Sequence, residues 1–316
     1  MKKQLRYYFN AVEICNMCES TTDTHKVLGK RLNQSQGKRP RNKIGISTTI
    51  AKCSNCGLIY SNPQPVPFDL QDHYGVPPEE YWKEHYFKID DNYFRGEIER
   101  VKKLIDFKEG MTALDIGAGL GKAMTALKKA GFDTYGFEPS KQFHERAITK
   151  MGINPDKLKL GMVEEVEYPE NSFDFISFGA VLEHLYNPSD SILKAMKWLK
   201  PNGVIHIEVP SSDWLIGKII NLFYRLNRTD YVGNLSPMHE PFHLHEFGLK
   251  SFQEHAKKHG YGLAFYEYYV CLTYMPKITD YVLKPYMKWT NKGMQLCVWL
   301  RKNKENATTA NTVLVQ

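Results

Sequence analysis

The stretch Ala113-Leu-Asp-Ile-Gly-Ala-Gly-Leu-Gly121 restricts what this chain can fold into more than any other. An apolar run that ends in an acid and then carries glycines at alternate positions reads as a strand turning sharply into a helix. Glycine tolerates positive φ and has no Cβ, so a ligand can come close to the main chain. The dinucleotide fingerprint spaces its glycines G-x-G-x-x-G to pass a pyrophosphate over a helix N-terminus, whereas Gly117, Gly119 and Gly121 are spaced two and two. Asp115, just before the turn, would repel a phosphate and suits a cationic or amine-bearing ligand. The next strand-like run, Thr134 to Phe137, ends in Glu138, twenty-three positions after Asp115, where a carboxylate can accept from both hydroxyls of a ribose.

Together these residues resemble the class I S-adenosylmethionine-dependent methyltransferases, over about Tyr93 to Asn303. The resemblance implies a doubly wound, mostly parallel, seven-stranded Rossmann-like α/β sheet with S-adenosylmethionine as cofactor. The cofactor-binding residues it implies are Asp115, Gly117, Ala118, Gly119, Gly121, Glu138, Pro139, Met162, Val163 and Phe178. Many relatives carry an acid just after the glycine of the third strand to accept from the adenine amino group. Here Met162 and Val163 follow Gly161, which leaves the base to backbone groups and apolar packing. Ser172 to Phe178 reads as a buried fourth strand. It leads into Gly179-Ala-Val-Leu-Glu-His-Leu185, which in the family lines the active-site floor. The Asn or Asp, Pro, Pro, aromatic run of nucleobase amino methyltransferases is absent from this position.

Cys15-Asn-Met-Cys18 and Cys53-Ser-Asn-Cys56-Gly57 form two C-x-x-C pairs separated by 34 residues. Two such knuckles supply the four sulfurs of a structural zinc site, with no open position for catalysis. A redox-active pair belongs beside a βαβ unit, and neither pair has one. From His25 to Ile50 run seven basic residues (Lys26, Lys30, Arg31, Lys38, Arg39, Arg41, Lys43) and no acid, enough to account for the net charge of +7. That loop reads either as a solvated segment or as a contact for an anion such as a phosphate backbone or acidic lipid. Ser61-Asn-Pro-Gln-Pro-Val-Pro67 and Pro77-Pro78 read as a stiff connector rather than a core element. The expected domains are therefore a zinc-knuckle module with its connector over 1–75 and a methyltransferase domain over 76–303. A disordered tail over 304–316 is expected to follow.

An insertion from Pro210 to about Glu246 interrupts the domain pattern. Residues 211–228 are amphipathic, fitting a core-packed lid helix or an interfacial helix at a membrane. The second half holds His239, His243 and His245. No apolar stretch approaches the roughly 20 residues that span a bilayer. The first residues lack the apolar core of a signal peptide, so the cytoplasm is the expected location.

Methyl transfer to a hydroxyl of a small-molecule, glycan or lipid-linked acceptor is the preferred function. The hydroxyl must lose a proton, and a placed histidine can take it. The candidates are His184, His239, His243 and His245. The alternatives are an RNA methyltransferase that holds RNA through its zinc module and basic loop, or a non-catalytic S-adenosylmethionine-binding subunit.

Overall fold

The computed structural model describes residues 6–32, 46–69, 71–74, 82–240, 242–271 and 273–303. The N-terminal part holds β1 (Tyr7–Asn10), β2 (Lys26–Leu32), β3 (Ser47–Lys52), β4 (Ile59–Asn62), β5 (Gln64–Pro67) and the short helix α1 (Gln71–Tyr74). The helix α2 (Arg95–Leu104) leads into β6 (Thr112–Ile116), α3 (Lys122–Lys129), β7 (Asp133–Glu138), α4 (Lys141–Thr149), β8 (Leu158–Leu160) and β9 (Phe173–Gly179). Then come α5 (Pro188–Trp198), β10 (Leu199–Pro210), α6 (Leu215–Leu226), β11 (His245–Glu246), α7 (Leu249–His259), β12 (Tyr261–Tyr269), α8 (Lys277–Trp289) and β13 (Gln295–Lys302).

The main sheet has seven strands in the order β12-β13-β10-β9-β6-β7-β8. The contacts among β10, β9, β6, β7 and β8 are parallel, and β13 runs antiparallel to both its neighbours. This is the doubly wound sheet the sequence implies. Its middle is apolar because helices cover both faces: in β9, Phe173, Phe175, Ile176 and Phe178 are all buried. α3 buries Ala123, Met124 and Leu127 at helical spacing, and Gly131 lies just past its end at φ +97°. Ser140 caps α4, its Oγ accepting from Phe143 N at 3.4 Å. Pro201-Asn-Gly203, expected to break the chain before the fifth strand, is instead absorbed into β10. The register there jumps between Leu199 and Val204, so a bulge takes up the turn-forming residues.

The proline-rich run departs from its reading as a connector. Gln64–Pro67 is a strand whose four residues are all buried, paired antiparallel with Tyr7–Asn10 in a two-stranded sheet. Proline is tolerated because each strand of such a sheet has an edge free of ladder bonds. A second sheet has the order β11-β4-β3-β2. It draws β11 from the insertion: His245 pairs with Tyr60 and Glu246 with Ile59. The insertion meets the sheet again at β2, where Lys30 N donates to Asp230 O and Val232 N donates to Lys30 O. The Lys30 ammonium also lies 3.4 Å from the Asp230 carboxylate. Of the seven basic residues noted above, Lys26, Lys30 and Arg31 thus lie in a strand, while Lys38, Arg39, Arg41 and Lys43 fall outside the described residues, as do Pro77, Pro78 and the 304–316 tail.

α6 buries Ile216 and Tyr224 but leaves Leu222, Phe223 and Leu226 exposed. α8 buries only Met287 and exposes Ile278, Tyr281, Val282 and Trp289. Leu215 N donates to Lys292 O at 3.2 Å, which sets the start of α6 against the end of α8. No helix among the described residues is long and apolar enough to cross a membrane.

Candidate functional site

The glycine turn joins β6 to α3, and its three glycines serve different ends. A Cβ on Gly117 would lie 2.6 Å from Val181 Cγ2, and one on Gly121 would lie 2.6 Å from Ile153, so both permit close packing of the loops. Gly119, at φ +53°, would meet nothing within 4 Å. That emptiness belongs to a cavity of about 300 Å3 lined by Gly117, Gly119, Glu138, Met162, Val163 and His184, among others. Pro139 also lines it, whereas Asp115, Ala118, Gly121 and Phe178 lie outside the lining.

Glu138 ends β7 and is held from two sides. Its Oε2 accepts from Gly119 N at 2.7 Å and its Oε1 from Ser140 N at 2.8 Å. Burial nevertheless raises its pKa to about 7, against the pull of those two donors. Asp115 is also buried, and burial followed by the charge of Glu138 raises it to about 7. Its field reaches Tyr93, whose phenol is raised to about 12, first by burial and then by Asp115.

His73, His184, Glu240 and Phe242 line the same cavity. Glu183 and His184 form a short 3-10 turn after β9, and Leu244 N of the insertion donates to Glu183 O at 2.8 Å. His73, from α1, donates through Nε2 to His184 O at 3.1 Å. The His184 and His243 rings stand 4.9 Å apart in an edge contact. Their Nε2 atoms lie 4.0 and 3.9 Å from Glu183 Oε1. Burial, and then the neighbouring histidines, lowers both imidazoles, His243 to about 4 and His184 well below its usual value. Burial pushes the Glu183 carboxyl up to about 8.

Of the four histidines named from the sequence, His184 and His243 come together here. His239 turns toward Arg31, 3.3 Å from its Nη2, and His245 is fully buried against Gln64 at 3.3 Å. Of the four, His184 alone lines the cavity, and His243 stands behind it. Sequence reasoning passed over His73, Tyr74, Glu164, Glu183 and Glu240. Glu164 had a readable signal, being an acid two positions beyond the place where relatives carry theirs. Glu183 had one too, as the neighbour of His184. His73 had none, because only tertiary packing brings α1 to this floor.

The two cysteine knuckles also meet. Cys15, Cys18, Cys53 and Cys56 offer sulfurs all within 4.8 Å of one another, with Cys15–Cys56 and Cys18–Cys53 each at 3.5 Å. A zinc with Zn–S bonds of about 2.3 Å needs tetrahedron edges of about 3.8 Å, so this donor set fits it with small adjustments. Cys56 N donates to Cys53 Sγ at 3.4 Å, and Gly57 at φ +81° lets the knuckle turn. The cluster packs into the main core with Leu58, Tyr60, Phe247 and Phe252.

Residues 87–264 match the profile of a family described as a methyltransferase domain. Over 123 residues the chain is 27% identical to the ubiquinone biosynthesis O-methyltransferase of Bradyrhizobium diazoefficiens, covering 37% of this chain and 47% of that protein. It is 32% identical over 142 residues to an uncharacterized protein of Methanocaldococcus jannaschii, covering 45% of this chain and 62% of that one. The matches thus span about half the length of these curated relatives. Among solved structures, an S-adenosylmethionine-dependent methyltransferase from Archaeoglobus fulgidus aligns over 71% of this chain and all of its own, at 14% identity and a TM-score of 0.48. With more than half of its length matched by the family profile and the sheet order in place, the chain belongs to the methyltransferase domain family.

Proposed function

We propose that the protein transfers the methyl group of S-adenosylmethionine to a hydroxyl of a small-molecule, sugar or lipid-linked acceptor. The observation that carries this reading is that Gly119, Glu138 and His184 line one and the same cavity. When bound, S-adenosylmethionine supplies an electrophilic methyl group carried on a sulfonium. Gly119 leaves room at the main chain, and Glu138 keeps lone pairs for ribose hydroxyls beside its two backbone donors. Glu164, with Met162 and Val163, offers a carboxylate at the base end. The acceptor hydroxyl must shed a proton as it attacks, and His184 lines the cavity with His243 and Glu183 beside it, outside the lining. The cysteine cluster holds zinc in a structural role.

The exposed faces of α6 and α8 support a greasy acceptor or a lipid surface. Leu226, Tyr281 and Trp289 are 74%, 81% and 82% exposed. Lys218, Arg225, Lys277, Lys284 and Lys288 lie on the same two helices, a combination that suits anionic lipid headgroups. Incubating the protein with methyl-labelled cofactor and a cell extract should place label in the lipid or small-molecule pool. A Phe223→Ser, Tyr281→Ser variant should lose much of the lipid label and keep its affinity for the cofactor. Label in RNA, lost when Lys38, Arg39, Arg41 and Lys43 are neutralised, would reverse the reading.

Cofactor affinity should also depend on pH. Ribose hydroxyls and an amine favour ionised carboxylates, yet in the free protein Asp115 and Glu138 are both raised to about 7. Binding pulls these pKa values down, so it is strongest above pH 7 and weakens as pH falls, by at most about tenfold per pH unit for each group. Calorimetric titrations between about pH 5.5 and 8.5 measure this, and an affinity flat across that range would contradict a role for both acids.

A further inference from the structure

We propose that Glu183, His184 and His243 form a second metal site, separate from the cysteine cluster, that holds a divalent cation beside the cavity, at the wall that His184 lines. The three side chains offer one carboxylate oxygen and two imidazole nitrogens, all within 4.8 Å of one another. Both Nε2 atoms face the same Glu183 oxygen, at 4.0 and 3.9 Å. Those separations are too long for hydrogen bonds. Ligands around a tetrahedral cation at about 2.0 to 2.2 Å stand about 3.3 to 3.6 Å apart, so both side chains would have to close on the oxygen by about half an ångström, within reach of a rotamer adjustment.

A second observation points the same way. Glu183 is 2% exposed, and its Oε2 is buried with no hydrogen-bond partner. No Lys or Arg among the described residues forms an ion pair with it. A buried carboxylate needs a partner or a metal, and here its own backbone N–H engages the group and two imidazoles, themselves metal ligands, stand beside it, while Oε2 is left without a partner.

The supporting contacts are those of a held site. His73 and Leu244 bond the backbone carbonyls of His184 and Glu183, and the Phe242 backbone engages the His184 ring. His243 N donates to Ser236 Oγ at 3.3 Å. A ring nitrogen bonded to a backbone carbonyl fixes the tautomer and orientation of a ligating histidine.

Three protein ligands leave a position open, the pattern of a working rather than a structural metal. His184 and His243 keep 24% and 25% of their side-chain surface exposed, and His184 lines the cavity. The chemical role rests on the methyl-transfer reading above. A hydroxyl of the acceptor bound at the open position would release its proton to water more readily, because the cation stabilises the oxyanion left behind. Nitrogen and oxygen donors select a different ion class from the four thiolates, with manganese or zinc suited to them.

The test is binding, without acceptor or turnover. Mn2+ is titrated into the whole protein and free ion is followed by its electron paramagnetic resonance signal, with a parallel calorimetric titration of Zn2+ into protein already holding its cysteine-bound zinc. One further equivalent of either ion is expected. Glu183→Gln and His243→Gln should each weaken that binding by at least about a hundredfold, the upper end of what loss of a mere supporting contact does. Cysteine-bound zinc, melting temperature and cofactor affinity should stay in place, which excludes misfolding as the cause. Absence of a further equivalent of both ions, or equal binding by the two variants, would overturn the site. A cation bound here in a protein that labels no acceptor would instead overturn the methyl-transfer reading and leave the site standing.

Discussion

Replacing Gly119 with valine is expected to abolish measurable binding of S-adenosylmethionine while the protein stays folded. Gly119 sits at φ +53° with nothing within 4 Å of where its Cβ would be. The valine side chain would meet no protein atom there and would occupy the cavity the cofactor needs. Left-handed backbone at a non-glycine residue adds a strain of roughly 1–2 kcal/mol, which lowers the melting temperature without unfolding a domain of this size. The Gly119 N–H that braces Glu138 remains in the variant, so that carboxylate keeps its place. Gly119→Ala, with the same strain and a smaller side chain, should fall between. Asp115→Ala removes a buried carboxylate from β6, just before that turn and outside the cavity lining, and should also lose binding. Calorimetric titration measures all three, and unchanged affinity in a folded Gly119→Val protein would refute the cofactor assignment.

The second large effect is expected at the cysteines. The protein should carry one zinc on Cys15, Cys18, Cys53 and Cys56, and a Cys15→Ser, Cys56→Ser variant should lose it. Structural zinc in small modules supplies about 10 to 16 kcal/mol of apparent binding energy, comparable to the whole stability of a typical domain at about 5 to 15 kcal/mol. The loss should reach well beyond the knuckles. Tyr60, in the strand after the second knuckle, pairs with His245, and the neighbouring Leu244 holds the Glu183 carbonyl. Removing zinc should therefore lower the melting temperature by about 10 °C or more and expose the segment around residues 235–247 to proteolysis. Elemental analysis and limited proteolysis decide it. A metal-free protein with the protease resistance of the parent would rule out a structural zinc.

The sequence carried the middle of the main sheet well, because β6, β9 and β10 are largely apolar runs and the crossover helices α3, α4 and α5 have buried stripes, with side-chain caps at α4 and α5. That Gly119 and Glu138 face one cavity was legible for a similar reason: both residues lie in short local patterns. The floor around His184 was not. His73 and Glu183 become neighbours of a common floor only through contacts spanning more than a hundred residues, and no local period records such contacts. The proline-rich strand misled because proline speaks against a ladder position in general, yet it fits a two-stranded sheet. The insertion histidines had equal claims in sequence. Packing separated them, turning His245 into the small sheet and His243 toward Glu183.

The sheet that draws a strand from the insertion also sets a timetable for synthesis. All four cysteines and β4 leave the ribosome early, but the strand that covers the β4 edge begins at His245, about 180 residues after Asn62. At roughly 5 to 20 residues per second that interval lasts about 10 to 40 s. Throughout it the nascent module presents an open strand edge beside buried-type side chains such as Leu58, Ile59 and Tyr60. An edge of that kind invites pairing with other chains, so soluble yield should depend on zinc reaching the cysteines before the insertion is made.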